Sequence, residues 1–197
     1  MISYAPTVDA SRLQELFDRQ DIRDQLLRYS RGCDRFDAEL INSVYWPDAL
    51  DEHGPVGTVP GAQAGELLIR WMRDSCKVAQ HFLCSSLIEI EGDTAFVETY
   101  FLNFLLVDRD GRDVTRSFGG RYIDRFERRG GIWRIAHRVC VHDWSRMDEV
   151  DEPWPPGEAT FIQGERSKDD IVYTIARGFE AAHARVPGST LVAEPQK

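Results

Sequence analysis

Four long segments rich in β-branched and aromatic residues, 80–90, 94–107, 114–128 and 132–143, follow one another with only short joints between them. The joints, Glu91-Gly92-Asp93, Asp108 to Gly111 and Arg129-Gly130-Gly131, have the Gly and Asp content of hairpin loops. A parallel crossover needs a dozen or more residues, so strands joined this closely must pair antiparallel. The second half of the chain is therefore an antiparallel meander. The first half reads as helical. Leu13, Leu16, Phe17, Ile22, Leu26, Leu27 and Tyr29 recur at near-helical spacing over 12–34. Asp37 can cap a short helix over 38–46 that Pro47 ends, and a third helix runs over 61–77 after an irregular Gly- and Pro-rich stretch, 48–60. Helices first and a meander afterwards predict an α+β fold, with three N-terminal helices packed on one face of a strongly curved antiparallel sheet.

At 197 residues and 42% hydrophobic, the chain can bury one core, and no linker divides it. The expected organisation is an arm over 1–10, one α+β domain over 11–148 and a C-terminal extension over 149–197. The extension begins with Pro153-Trp154-Pro155-Pro156, continues to a helix near 168–184 and ends in about a dozen disordered residues. A formal charge of −9 repels phosphate backbones and anionic membranes, which argues against nucleic acid or a membrane as partner. Cys33, Cys76, Cys84 and Cys140 have neither disulfide-framework nor zinc spacing. Met1 to Ala10 lacks the basic and apolar regions of a leader, and no apolar run has membrane-spanning length, so a soluble cytoplasmic protein is expected.

The order of elements, together with Asp21 to Leu27, Tyr45-Trp46-Pro47-Asp48-Ala49, Gly120 to Arg128 and Trp133-Arg134-Ile135, resembles the SnoaL-like and nuclear-transport-factor-2-like superfamily, whose fold is a cone. Within it the chain is similar to a catalytic branch that holds hexachlorocyclohexane dehydrochlorinase, bile acid 7α-dehydratase and scytalone dehydratase. That resemblance implies four site residues: Tyr29 and Asp34 at the end of the first helix, His81 at the start of a long strand, and Arg138 on the last strand. It also implies a cofactor-independent lyase acting on a hydrophobic cyclic, steroid- or polyketide-like substrate, and a homo-oligomer, a trimer before a dimer.

The residue types suit that chemistry. An imidazole titrates near neutral pH and is a natural base for a weakly acidic C–H. A carboxylate on its far nitrogen fixes the tautomer and stabilises the imidazolium. Tyr29 and Arg138 would polarise the substrate. Phe82, Phe101, Phe104, Phe118 and Trp144 would wall an apolar cavity if their strand faces turn inward, and Glu98 and Asn103 are the nearest counterparts of an acidic residue that bile acid 7α-dehydratase carries on its second long strand.

Several rival readings accompany these. Arg138 is also suited to a buried ion pair that ties the first helix to the sheet. The same base serves an isomerase or polyketide cyclase, and a non-catalytic ligand-binding or assembly module shares the fold. A metal site at His137, His142 and Asp143 is rejected because alternation sets His137 and Arg138 on opposite faces. Gly54 to Gly61 lacks the Lys-Ser/Thr ending of a phosphate loop.

Overall fold

The computed structural model describes residues 9–150 and 162–175. The expectations for Pro153 to Pro156, for the helix beyond residue 175 and for the final dozen residues lie outside them. Helix α1 spans Ala10–Arg35, α2 Ala38–Ser43 and α3 Ala64–Ser75. Strands β3 (Val78–Glu91), β4 (Thr94–Arg109), β5 (Arg112–Arg129) and β6 (Ile132–Glu149) form the antiparallel meander, each somewhat longer than its sequence pattern.

Two further strands precede α3. β1 (Tyr45–Glu52) and β2 (Thr58–Pro60) occupy the stretch expected to close a helix and then run irregularly. β1 lies parallel to β6, β2 antiparallel to β1, and the sheet order is β2-β1-β6-β5-β4-β3. Pro47 misleads here: it reads as a helix end, yet it sits where the β1–β6 register shifts between Tyr45 and Leu50, a place where the ladder does not need its missing N–H. A short 3-10 turn, Gly54–Val56, separates β1 from β2. Near the carboxyl end, a short α4 spans Ile171–Ile175.

The helices cover the concave face of the sheet. From α1, Asp18, Ile22, Leu26, Tyr29 and Cys33 turn inward at i, i+4 and i+3 steps, whereas Leu13, Leu16, Phe17 and Leu27 are exposed, so the buried stripe is narrower than the apolar pattern. Asp18 anchors the front of this helix by accepting hydrogen bonds from Trp133 Nε1 at 2.9 Å and Arg128 Nη1 at 3.0 Å. The rear ends at Phe36, whose left-handed backbone (φ 52°) turns the chain into the Asp37 cap of α2. The Arg166 guanidinium lies 3.7 Å from the Phe36 ring centroid, and Asp170 pairs with Arg35 at 3.1 Å, so the described part of the C-terminal extension packs on this corner.

Beneath the middle of α1 the core holds a charge. Arg138 on β6 is fully buried and bound by Asp124 on β5 through Nε to Oδ1 and Nη2 to Oδ2, both 2.7 Å. Its guanidinium lies against the rings of Tyr29 on α1 (4.3 Å) and Tyr122 on β5 (4.1 Å), which meet each other edge-on. Burial raises the Asp124 carboxyl above the usual range against the pull of Arg138. Removing one member of such a pair strands the other without solvent. Asp124→Asn is therefore expected to lose about 3–5 kcal/mol of stability in urea unfolding, and Asp124→Leu combined with Arg138→Met to recover most of it; a loss below about 1 kcal/mol for the single variant would contradict this.

Candidate active site

The end of α1 and the start of β3 bring Asp34 and His81 together. Asp34 Oδ1 lies 2.6 Å from His81 Nδ1, and Asp34 Oδ2 accepts the backbone N–H of His81 at 3.1 Å. One carboxylate thus grips both the ring and the main chain of the same residue, which fixes the ring's direction. Both side chains are largely shielded, 17% and 8% exposed. In the tautomer that donates Nδ1–H to Asp34, Nε2 is the nitrogen left for the cavity that His81 lines.

That cavity measures about 70 Å³ and is walled by Tyr29 and Cys33 from α1, Leu68, Trp71 and Met72 from α3, and Phe101, Asn103, Leu105, Phe118, Tyr122, Cys140 and His142 from the sheet, with His53 and Pro55 at the turn after β1. Its lining is mostly apolar, with the Arg116 guanidinium on β5 as a cation among it. Burial keeps the Tyr29 and Tyr122 phenols well above their ordinary range, so both are protonated donors at neutral pH. Burial also raises the Cys33 thiol strongly and the Cys140 thiol to about 12. The His142 ring, stacked on Phe118 at 4.8 Å, is pushed below its ordinary value by burial and then by His53.

Strand alternation sorts the expected wall residues. Phe101, Asn103 and Phe118 face the cavity. Phe82, Glu98 and Phe104 do not: each stands one step out of phase with an inward residue (His81, Thr99 and Asn103) and lies on the outer face, where Phe82 meets Phe104 edge-on and Glu98 pairs with Arg121. Trp144 is also outside. A bulge between Gly119 and Gly120 sets His142 opposite Gly120 but Trp144 opposite Gly119, which turns the indole to the outer face. Gly120 itself is required because a Cβ there would run into the Val141 carbonyl and the Phe101 ring.

Arg138 does not reach the cavity. It lies behind the wall formed by Tyr29 and Tyr122, outside the reach of a cavity ligand, and its own place is the buried pair with Asp124. A second buried carboxylate, Asp51 on β1, went unread in the sequence because its strand did. It accepts the Tyr45 hydroxyl at 2.7 Å and lies 3.2 Å from His53 Nδ1. Burial drives the Asp51 carboxyl upward, yet His53, Arg138 and the Tyr45 hydroxyl together hold it below the usual carboxylate range. Asp124 had a legible signal: it shares an inward phase with Phe118, Tyr122 and Phe126, and a lone carboxylate on an apolar face demands a cation.

Among the described residues, no group of three or more His, Cys, Asp or Glu side chains is arranged to hold a metal ion, and no helix is long and apolar enough to cross a membrane.

Comparison with known proteins follows the same outline. An uncharacterized protein of Mycobacterium tuberculosis is 27% identical over 136 residues, which cover 68% of this chain and 90% of that protein. Among solved structures, a hexachlorocyclohexane dehydrochlorinase (LinA type 2) superposes with a TM-score of 0.67 at 19% identity, over 75% of this chain and 99% of its own. A scytalone dehydratase-like protein from Novosphingobium aromaticivorans gives 0.59 at 17% identity, over 73% and 96%. The profile described as SnoaL-like domain matches residues 14–139, from the first turns of α1 to the middle of β6, and the chain belongs to that family.

Proposed function

We propose that this protein is a cofactor-independent lyase in which His81 removes a proton from carbon and a group on the adjacent carbon departs as water or halide. The observation that carries this reading is the 2.6 Å contact between Asp34 and His81 at the edge of a mostly apolar cavity. In the forward step His81 Nε2 takes the proton, the C–H electron pair forms the new double bond, and the C–O or C–halogen bond breaks. When the leaving group is hydroxide, the imidazolium returns the proton to it, so water is released and the neutral ring restored; when it is halide, the halide ion departs and the imidazolium passes its proton to solvent. Asp34 stabilises the imidazolium in between. Tyr29 and Tyr122, protonated and in the wall, supply donors for charge that develops on the substrate. The solved structures with this fold that bear the names dehydrochlorinase and scytalone dehydratase add support, since both names describe eliminations.

Cavity size narrows the substrate class. About 70 Å³ is far below the ~300–1,000 Å³ of pockets that hold drug-sized ligands. Among ring substrates a single ring comes nearest to this space, and a steroid far exceeds it.

Purified protein incubated with hydroxylated and halogenated six-membered ring compounds is expected to release water or halide, seen as the mass loss of that group. His81→Ala should abolish turnover while retaining the native circular dichroism spectrum, and Asp34→Asn should cut kcat by about 10²–10⁴-fold with a smaller change in KM. A fully active His81→Ala would overturn the assignment, and double-bond migration without loss of mass would move it to an isomerase.

The partly buried His142 also sets a pH dependence of stability. The folded state holds His142 below the ordinary 6.5, so as pH falls through that value the unfolded chain takes up a proton that the fold resists. Its contribution is complete above about pH 6.5 and is lost below it. The thermal midpoint of the wild type is thus expected to fall more between pH 7 and pH 5 than that of His142→Phe, which keeps the stacking on Phe118; equal falls would contradict this.

A further inference from the structure

Asn103 is the least satisfied polar group in the cavity wall. It is 3% exposed, it lines the cavity, and its Oδ1 has no hydrogen-bond partner. A buried carbonyl oxygen without a donor is costly, and native structures keep few of them. The amide is engaged by the neighbouring Tyr122 phenol through a side-chain hydrogen bond, which orients it and still leaves Oδ1 without a donor. Its place in the sheet is informative. Asn103 on β4 stands directly opposite His81 on β3, so the two side chains leave the same sheet face as a cross-strand pair, with Phe118 opposite Asn103 on the other side. The unpaired acceptor therefore lies beside the ring assigned above as the base.

We infer that Asn103 is a specificity-determining residue whose Oδ1 accepts a hydrogen bond from a substrate hydroxyl, and that the substrate is consequently a hydroxylated ring compound from which water leaves, rather than a halide. A hydroxyl brings the donor that the site lacks, whereas a halogen brings none and leaves Oδ1 unpaired. The geometry is also consistent with the step: a hydroxyl held by its hydrogen at Asn103 keeps its oxygen lone pairs free for the proton that His81 returns, on the same face from which that proton was taken.

The inference rests on the elimination reading for the fate of the hydroxyl, but recognition is measurable without turnover. The probes are 3-hydroxycyclohexanone and cyclohexanone, which differ by the hydroxyl alone. Trp71 in the cavity wall allows binding to be followed by tryptophan fluorescence, with ligand-detected NMR as a second readout. Wild-type protein is expected to bind the hydroxy ketone about tenfold more tightly. Asn103→Leu should lose this preference. Wild-type protein that binds both ketones equally, or neither, would overturn the inference even if Asn103→Leu did not fold, as would a preference that survives in folded Asn103→Leu. Formation of cyclohexenone is followed in the same samples. A hydroxyl preference without product would refute the elimination and leave the recognition standing; product formed without a hydroxyl preference would refute the recognition and leave the elimination.

Discussion

Arg138 carries a full charge into the centre of this fold, and the arrangement around it depends on meeting that charge's needs. An unpaired guanidinium there would be prohibitive, so β5 must place Asp124 beside β6 in the register that gives two 2.7 Å hydrogen bonds. The rings of Tyr29 and Tyr122 then pack against the guanidinium, which fixes where α1 crosses the sheet. Tyr29 is five residues before Asp34. At about 1.5 Å per residue, seating Tyr29 on Arg138 leaves the helix end about 7.5 Å further on, where β3 delivers His81. The ion pair thus acts on the candidate chemistry by location: it sets the helix, and the helix sets the carboxylate.

The second anchoring point is Asp34 itself. A carboxylate at a helix end commonly caps a neighbouring turn, and Asp37, three residues later, does so for α2. Asp34 instead spends both oxygens on one residue that is distant in sequence, one on the ring and one on the backbone N–H. Such a grip costs conformational freedom and is more than a surface ion pair requires, whereas an imidazole that must present one nitrogen in one tautomer requires it. The surrounding wall of phenols, thiols and aromatic rings keeps a low-dielectric setting in which this contact is strong.

The sequence was readable where local chemistry and periodicity determine structure. Hairpin turns with Gly and Asp announced the meander, and period-two alternation alone separates Phe101 and Asn103, inward, from Glu98 and Phe104, outward. Three features were not local. Pro47 argues against a strand unless the register shift in its pairing with β6 is known. Trp144 shares the phase of Arg138 and His142, and only the bulge at Gly119 and Gly120 reverses it. The space inside the cone depends on how Trp71, Met72 and the turn after β1 close over it, and no spacing rule specifies volume. The same limit applied to Arg138, whose residue type suits a substrate clamp and an internal tie equally until Asp124 is seen beside it.

The central claim, that Asp34 fixes the His81 ring with Nε2 toward the cavity, is tested most directly by the ring-nitrogen NMR spectrum of His81, assigned by comparison with His81→Ala and recorded across a pH series. For the uncharged ring the account predicts a protonated Nδ1 and a bare Nε2, with that tautomer lost in Asp34→Ala. A proton resident on Nε2 in the wild type would contradict it, because the nitrogen facing the cavity would then have no lone pair with which to take a proton from carbon.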